Sequence, residues 1–316
     1  MINYDKKFGK MKKRYFSLRS FMLWEKKEFP IKWDGIFERE APLEVEIGFG
    51  NGEFLVRQAS TFPERNFVGI ELAWGSIRRA LRQIARVGLK NVRLLQIDSR
   101  VALDWIFTPL SISRICALFP MPWPKKHHEK HRLFSYTFLK LINNRLKSKG
   151  EVQIVTDFEP YFNWVLIQLP ETGFKVDTKI SFSTFNTKYE RKWREKGQQT
   201  FFEIHLEKQQ HREVPLKKEV TLRTYCIGHF DPEKFSPSNE RAEVVVQFQE
   251  FLFDPKRQKG MARVMVVEEG LTQNFWVDIA SGERGWYIKV APGCEVVSTI
   301  GVQRALDLVY EATGNT

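Results

Sequence analysis

Residues 43–52 read LEVEIGFGNG, and this stretch decides the fold of the 316-residue chain. Residues 43–49 predict a short strand, and the spacing of apolar residues in 53–62 predicts a helix directly after the glycines. Glycines at alternate positions let the backbone turn tightly and approach a ligand that also faces the helix N-terminus. A dinucleotide-binding loop needs Gly or Ala where Glu53 stands, so the loop favours a nucleoside ligand without phosphates.

Strands and helices alternate from this stretch to about residue 206. Further strands are predicted at residues 67–71, 92–97, 112–119, 152–156, 174–180 and 201–206, and further helices at 76–87, 101–107, 133–146 and 161–169. This alternation indicates an α/β fold, with a doubly wound, Rossmann-like and mostly parallel sheet covered on both faces. Such sheets bind ligands at the carboxyl ends of their strands.

A polar, charged segment around residues 208–218 separates this pattern from a second one. Strands are predicted there at residues 220–227, 243–253, 262–267, 274–279, 286–290 and 296–298, with a closing helix at 301–312. We therefore predict three units: a basic N-terminal arm (1–40), an α/β domain (41–210) and a smaller β-rich C-terminal extension (211–316).

Charge is distributed unevenly between these units. Residues 1–210 carry 37 basic and 23 acidic side chains, whereas residues 211–316 carry 13 and 15. The excess of positive charge predicts binding of a polyanion, most plausibly nucleic acid, although a basic surface that only keeps the protein soluble has the same composition.

The cysteines and the apolar runs indicate in which cellular compartment the protein is expected. Cys116, Cys226 and Cys294 are far apart and odd in number, which argues against a disulfide framework and favours a reducing, cytoplasmic location. No apolar run approaches the roughly 18 residues that a membrane span requires, and the basic N-terminus lacks the apolar stretch of a signal peptide. We expect no membrane association.

Three acidic residues stand at the predicted tips of successive strands. Glu46 precedes Gly48 and Gly50, Glu71 ends the second strand, and Asp98 follows the third. An acid at the second tip accepts hydrogen bonds from a ribose diol, and Asp98 is placed to meet an adenine amino group. The alternative for each acid is a helix N-cap or a solvated turn, and it is strongest for Asp98.

Residues 118–132, LFPMPWPKKHHEKHR, follow the fourth predicted strand and resemble the bacterial tRNA (guanine-N7-)-methyltransferases, which carry FPDPWPKxRHxKRR there. Four further motifs of that family stand in the same order: EIGFGxG, GIE at 69–71, TDxxxY at 156–161 and TKYE at 187–190. The resemblance covers about residues 40–207. It implies a class I methyltransferase that transfers a methyl group from S-adenosylmethionine to N7 of the variable-loop guanine of tRNA (position 46).

The resemblance also implies roles for individual residues. The cofactor would be bound by Glu46, Gly48, Gly50, Glu71 and Asp98. The tRNA or its target guanine would be contacted by Lys125, Asp157, Thr187, Lys188, Tyr189 and Glu190.

Met121 departs from the family motif, which has an aspartate at this position that is usually named as catalytic. Guanine N7 is an acceptor without a proton, so its methylation requires no base and depends mainly on positioning. We therefore expect activity, with no catalytic residue assigned and Asp157 as a substitute for the lost charge. The alternative is a catalytically impaired homologue that only binds tRNA.

Two other interpretations are weaker. His127, His128 and His131 have spacing that could bind zinc, but their neighbours are lysines and no fourth ligand is near in sequence, so we expect no metal. A basic turn that grips phosphate explains residues 125–132 better. A dehydrogenase with the same fold is disfavoured by Glu53.

Overall fold

The structure is a computed structural model that describes residues 17–182 and 200–314. Its first sheet has the strand order β3-β2-β1-β4-β5-β7-β6. Strands β1 to β5 run parallel to one another, whereas β7 runs antiparallel to β5 and β6. The strands are β1 Leu43–Ile47, β2 Asn66–Glu71, β3 Val92–Gln96, β4 Ile112–Leu118, β5 Leu146–Thr156, β6 Phe174–Phe182 and β7 Thr200–Lys208.

The order of the strands reverses between β1 and β4, so the ends of these two strands flank a crevice that can receive a ligand. The predicted α/β, doubly wound sheet is therefore confirmed. Every strand predicted between residues 43 and 206 is present, with bounds that shift by a few residues. The largest extension is β5, which begins at Leu146 directly after a helix.

Helices cover both faces of this sheet. The described helices are α1 Trp33–Phe37, α2 Glu53–Thr61, α3 Trp74–Val87, α4 Ser99–Val101, α5 Tyr136–Arg145, α6 Glu159–Gln168 and α7 Ile300–Glu311. Helices α2 and α3 bury apolar residues such as Leu55 and Ile77 against β2 and β3, and α5 and α6 contribute Phe138 and Val165 to the larger core on the other face.

Two predicted helices differ from those observed. The helix predicted at 133–146 begins only at Tyr136, because the Ser135 hydroxyl caps it by accepting from the Phe138 amide (3.5 Å). The helix predicted at 101–107 is the single turn α4 followed by a π-helix, Ala102–Ile106. Gly88 ends α3 in the left-handed conformation (φ 78°).

A second, antiparallel sheet of six strands lies in the C-terminal part, as the sequence predicts. Its order is β8-β13-β12-β11-β10-β9, and α7 packs on it through Val302, Ala305 and Val309. The strands are β8 Tyr225–Ile227, β9 Glu240–Arg241, β10 Val244–Asp254, β11 Lys259–Glu268, β12 Leu271–Gly282 and β13 Gly285–Val290.

The prediction of a strand at 296–298 is wrong, because a glutamine side chain makes the hydrogen bonds that a neighbouring strand would make. The Gln273 amide accepts from the Val297 backbone N–H (2.8 Å) and donates to the Val297 carbonyl (3.1 Å). Only the last three residues of the strand predicted at 220–227 form one, and the Arg223 N–H donates to the Gln303 side chain instead.

The two sheets are also joined by packing. Leu271 and Val297, both from the C-terminal part, belong to the apolar cluster beneath the first sheet, and Lys26 forms an ion pair with Glu295 (3.0 Å). Within the described ranges, no helix is both long enough and apolar enough to cross a bilayer.

Candidate cofactor and substrate site

The glycine turn after β1 folds as its sequence predicts. Gly48, Gly50 and Gly52 have φ values of 70°, 54° and 78°, a left-handed backbone that side chains with a Cβ rarely adopt. The Gly48 amide donates to the Ile70 carbonyl (2.8 Å), which ties the turn to β2. A Cβ on Gly52 would lie 2.6 Å from that of Ala80, so only glycine lets α2 begin this close to α3.

Glu71, at the tip of β2, organises the backbone around it. Its Oε2 accepts from the Gly50 amide (3.0 Å), and its Oε1 accepts from the amides of Leu72 (2.9 Å) and Ala73 (3.0 Å). These three donors fix the carboxylate and link the glycine turn to the start of α3. A carboxylate oxygen can accept more than one hydrogen bond, so Glu71 keeps the capacity for a ligand hydroxyl.

Glu46 is enclosed at the end of β1 and differs sharply from Glu71. Its side chain is 5% exposed, and its Oε2 has no hydrogen-bond partner among the described residues. Burial raises the pKa of Glu46 to about 8; the nearby Arg57 opposes that rise, and Glu71 adds to it. A buried carboxyl with an unpaired oxygen is costly, and a cationic or donor group arriving beside it relieves that cost.

Asp98 has the capping role that the sequence left open. Its Oδ1 accepts from the Arg100 amide (2.7 Å) at the start of α4, and its Oδ2 lies 3.8 Å from the Arg100 guanidinium. The residue nevertheless faces the same cavity as Glu71. Capping and ligand binding are compatible, because the second oxygen makes only the longer contact.

The cavity at this edge of the sheet has a volume of about 320 Å³. It lies between the tips of β1, β2 and β3 and the segment that follows β4, and it combines acidic groups with an apolar wall. The lining includes Gly48, Glu71, Asp98, Arg100 and Leu133, together with Ile47, Ile70, Leu72, Ile97, Ser99, Pro120, Met121, Trp123 and His131. Glu46 is not part of this lining, although the next two residues, Ile47 and Gly48, are.

The segment after β4 is shaped by an arginine whose role sequence reasoning missed. Arg132, grouped with the phosphate-gripping residues at 125–132, is instead 4% exposed and unavailable to phosphate. Its Nε donates to the Pro122 carbonyl (3.0 Å), and its guanidinium lies over the Trp164 ring (5.3 Å). Arg100 holds the same segment by donating to the His131 carbonyl (3.0 Å). The alternation of basic and histidine residues gave no signal that one of them is buried.

Comparison with known proteins places this site in a family. The model of a family described as "Putative methyltransferase" matches residues 40–203. The tRNA (guanine-N(7)-)-methyltransferase of Chlorobium phaeobacteroides is 48% identical over 58% of this chain and 90% of its own length. That of Aquifex aeolicus is 31% identical over 85% of this chain and 93% of its own length. The chain belongs to the tRNA (guanine-N(7)-)-methyltransferase family.

Membership confirms the resemblance seen in the five motifs, and with it the enzyme class. It also extends that resemblance, which had been confined to residues 40–207. The alignment to the Aquifex aeolicus methyltransferase, and one at 33% identity to that of Thermus thermophilus, cover 85% and 83% of the chain. Alignments of this length must include part of residues 211–316, so part of the C-terminal sequence is also similar to that of these two relatives.

Two of the family's motif positions, Met121 and Lys125, follow β4, and of the two only Met121 is among the residues that line the cavity. Met121 lines the cavity and is 64% exposed, so the position that carries an aspartate in the family motif is open to a ligand. Lys125 is exposed and precedes a 3-10 helix, Lys126–His131. The His128 and His131 rings lie 5.4 and 5.2 Å from the Trp123 ring. The described residues contain no group of three or more His, Cys, Asp or Glu suited to a metal ion.

Of the remaining motif positions assigned to tRNA contact, only Asp157 lies within the described residues. Asp157 is half-buried directly after β5, and burial raises its pKa. The N-cap of α6 is Phe158, with no side-chain hydrogen bond, and the Phe158 amide donates to the Thr156 hydroxyl (3.2 Å) rather than to Asp157. Asp157 is therefore not consumed by capping. The predicted positions Thr187, Lys188, Tyr189 and Glu190 lie outside the described residues.

Proposed function

We propose that the protein transfers a methyl group from S-adenosylmethionine to N7 of the variable-loop guanine (position 46) of tRNA. The observation that carries the proposal is the cavity in which acidic strand tips face the Met121 segment, in a chain of the tRNA (guanine-N(7)-)-methyltransferase family. The acidic residues at the strand tips suit a nucleoside with a positive charge. The segment that carries Met121 forms an open rim for a base.

The residues on the acidic side fit the methyl donor, which when bound supplies an electrophilic methyl group on a sulfonium. Gly48 and Gly50 leave room for close approach of the ligand, and Glu71 and Asp98 offer acceptors to its hydroxyl and amino groups. Glu46 has the unpaired buried oxygen that a cationic ligand would relieve. Because Glu53 follows the turn, a pyrophosphate would be repelled there.

The residues on the rim position the guanine. Its N7 is an acceptor that carries no proton, so no side chain has to act as a base. We assign to Lys125 and Asp157, with Thr187, Lys188, Tyr189 and Glu190, the binding of the tRNA and its guanine. A carboxylate at position 121 would stabilise the positive charge that develops on the purine, and Asp157 is the acid left to supply that stabilisation.

The organisation of the chain fits this division of work. We assign residues 1–40 to a basic arm, 41–210 to the methyltransferase domain and 211–316 to a β-rich extension that braces it. The extension contributes Leu271 and Val297 to the core of the first sheet, which supports bracing. A protein that modifies tRNA and has three scattered cysteines is assigned to the cytoplasm.

The decisive experiment incubates the protein with isotopically labelled S-adenosylmethionine and tRNA, followed by mapping of the modified nucleotide by mass spectrometry. We expect one labelled 7-methylguanine, in the variable loop. A tRNA with adenine at position 46 is the matched control and should remain unlabelled. Tight tRNA binding without any label would instead establish the impaired, binding-only homologue, and label at a different nucleotide would refute the assigned position.

A further inference from the structure

The outward surface of α3 carries a row of side chains spaced four residues apart. Trp74, Arg78, Arg82 and Arg86 are all exposed, and their spacing of four residues places them on one inclined ridge of the helix surface. The helix rises about 6 Å over four residues. We call these four residues the arginine row. This rise between successive positions of the row is comparable to the distance between neighbouring phosphates of a nucleic-acid strand.

The sequence of α3 contains basic residues but no acidic ones. Residues 74–87 contain four arginines and no aspartate or glutamate. Like charges four residues apart destabilise a helix, so helix stability alone would not select this sequence. The opposite side of the helix is fixed in the core by Ile77, Ala80, Leu81 and Ile84, and the row is therefore held facing outward.

The one arginine of α3 that lies outside the row has a different role. Arg79 donates to the Asn51 side chain (2.5 Å) and to the Ser76 hydroxyl (3.1 Å), and so braces the glycine turn. We exclude it from the row. Helix α3 therefore contains four arginines, of which three belong to the arginine row and one stabilises the glycine turn.

The row begins beside the cavity and leads away from it. Glu71 and Leu72 line the cavity, and Trp74 follows two residues later at the first turn of α3. Trp74 is 41% exposed, and its ring forms a T-shaped contact with that of Phe21 (centroids 5.3 Å apart), which holds the ring while leaving part of it accessible. A rigid, accessible ring next to a basic track suits stacking of an unpaired base.

We propose that the arginine row is a binding surface for the RNA strand next to the target guanine, with phosphates on Arg78, Arg82 and Arg86 and a base stacked on Trp74. The inference rests on the proposed function, since it takes tRNA as the occupant. Charge complementarity with a polyanion and continuity with the cavity favour RNA over a protein partner. None of the residues to which the family motifs assigned RNA contact lies on α3.

The test measures the dissociation constant of tRNA across a series of salt concentrations. For Arg78→Gln/Arg82→Gln/Arg86→Gln, three lost phosphate contacts should reduce the slope of log K against log salt by about 2 to 3 and weaken binding at least tenfold at low salt. The triple Arg→Lys variant keeps the charge and should keep the slope. Trp74→Ala should weaken binding several-fold without changing the slope.

A charge-matched control lies in two turns of the C-terminal sheet. Lys256→Gln/Arg257→Gln/Arg284→Gln removes the same charge from exposed positions and should leave the slope near that of the unchanged protein. Equal losses in the two triple variants would reduce the effect to net charge and overturn the proposal. So would an unchanged slope in the α3 variant, which would assign the row to a different partner.

Failure here is distinguishable from failure of the proposed function. All variants should bind S-adenosylmethionine with the affinity of the unchanged protein, because the row does not line the cavity, and a loss there would mean a disturbed fold. If the unchanged protein methylates tRNA but the α3 variant binds tRNA normally, the row is refuted and the function stands. If no methylation occurs, the salt dependence still decides whether the row binds RNA.

Discussion

The buried guanidinium of Arg132 donates a hydrogen bond to the carbonyl of Pro122, 3.0 Å away and ten residues earlier in the chain. A second nitrogen of the same group lies 3.3 Å from the Glu129 carboxylate. The two contacts join the segment that carries Met121 to the 3-10 helix that follows it. The rim of the cavity is thus pre-organised by a side chain that does not line the cavity, and we assign Arg132 as a positioning residue.

Replacing Arg132 should therefore affect both stability and turnover. Arg132→Ala removes a buried charge from its partners, and we expect a loss of about 3 kcal/mol in the free energy of unfolding. At a temperature where the variant is folded, we expect kcat to fall at least tenfold while the dissociation constant of S-adenosylmethionine changes less than twofold. Denaturant unfolding, isothermal titration and single-turnover methylation measure the three quantities.

The conservative variant separates positioning from mere folding. Arg132→Lys keeps the charge but cannot reach both Pro122 and Glu129 with planar geometry, so it should recover most of the stability and little of the turnover. Glu129→Gln is a milder control, since Glu129 is partly exposed. Equal recovery of stability and kcat in the lysine variant would contradict a positioning role.

Glu71 supports the cofactor side of the site in two ways at once. It accepts three backbone amides and lines the cavity. Glu71→Gln keeps the size of the side chain but points an amide donor at backbone donors, so we expect the affinity for S-adenosylmethionine to fall at least tenfold, or about 1.4 kcal/mol. Isothermal titration provides the measurement, with the exposed Glu283→Gln as control. An unchanged affinity would remove Glu71 from the site.

Much of this architecture could be predicted from the sequence, because local rules were strong where they decided the fold. Alternating strands and helices placed β1 to β7, and the helix predicted at 76–87 is observed as α3 with the same last residue. The strand ends also brought Glu71 and Asp98 to one cavity. These outcomes depend on period, turn chemistry and the geometry of parallel sheets, which one sequence records.

What could not be predicted depends on contacts between distant residues. Nothing near Gln273 in sequence indicates that its side-chain amide would hydrogen-bond to the backbone N–H and carbonyl of Val297 in place of a strand partner. Burial of Arg132 among basic neighbours likewise follows from packing against Trp164. Glu46 and Glu71 look alike as acids at strand tips, yet only one is enclosed without a partner for an oxygen.

Substitution of Met121 is expected to increase the rate of methyl transfer. Its side chain is exposed and lines the cavity, so Met121→Asp introduces a charge without burying it and should leave the free energy of unfolding within about 0.5 kcal/mol. We expect the rate of methyl transfer to rise several-fold, because a carboxylate beside the guanine stabilises positive charge on the purine. Met121→Asn, nearly the same size but uncharged, is the control and should give a smaller gain. An unaltered rate in the folded aspartate variant would place the chemistry elsewhere.

Glu46 predicts a specific dependence of stability on pH. Its pKa is raised by burial from 4.5 to about 8, so the native state holds a proton that the unfolded state has released between these values. This contribution is fully present below pH 4.5 and is lost as the pH rises toward 8, at most about 4–5 kcal/mol by the linkage relation. Glu46→Gln cannot ionise, so the variant should show a flatter stability profile over that range in denaturant unfolding. A profile parallel to that of the unchanged protein would contradict the raised pKa.

The same group should couple cofactor binding to proton release. A sulfonium near Glu46 favours the ionised carboxyl, so at pH 7 binding of S-adenosylmethionine should expel most of one proton. Isothermal titration in buffers of different ionisation enthalpy measures this number directly, and Glu46→Gln should abolish it while weakening binding. S-Adenosylhomocysteine, which lacks the positive charge, should release far less. Equal proton release with the two ligands would mean that Glu46 does not respond to the sulfonium, and no release with either would place its carboxyl outside the reach of the bound nucleoside.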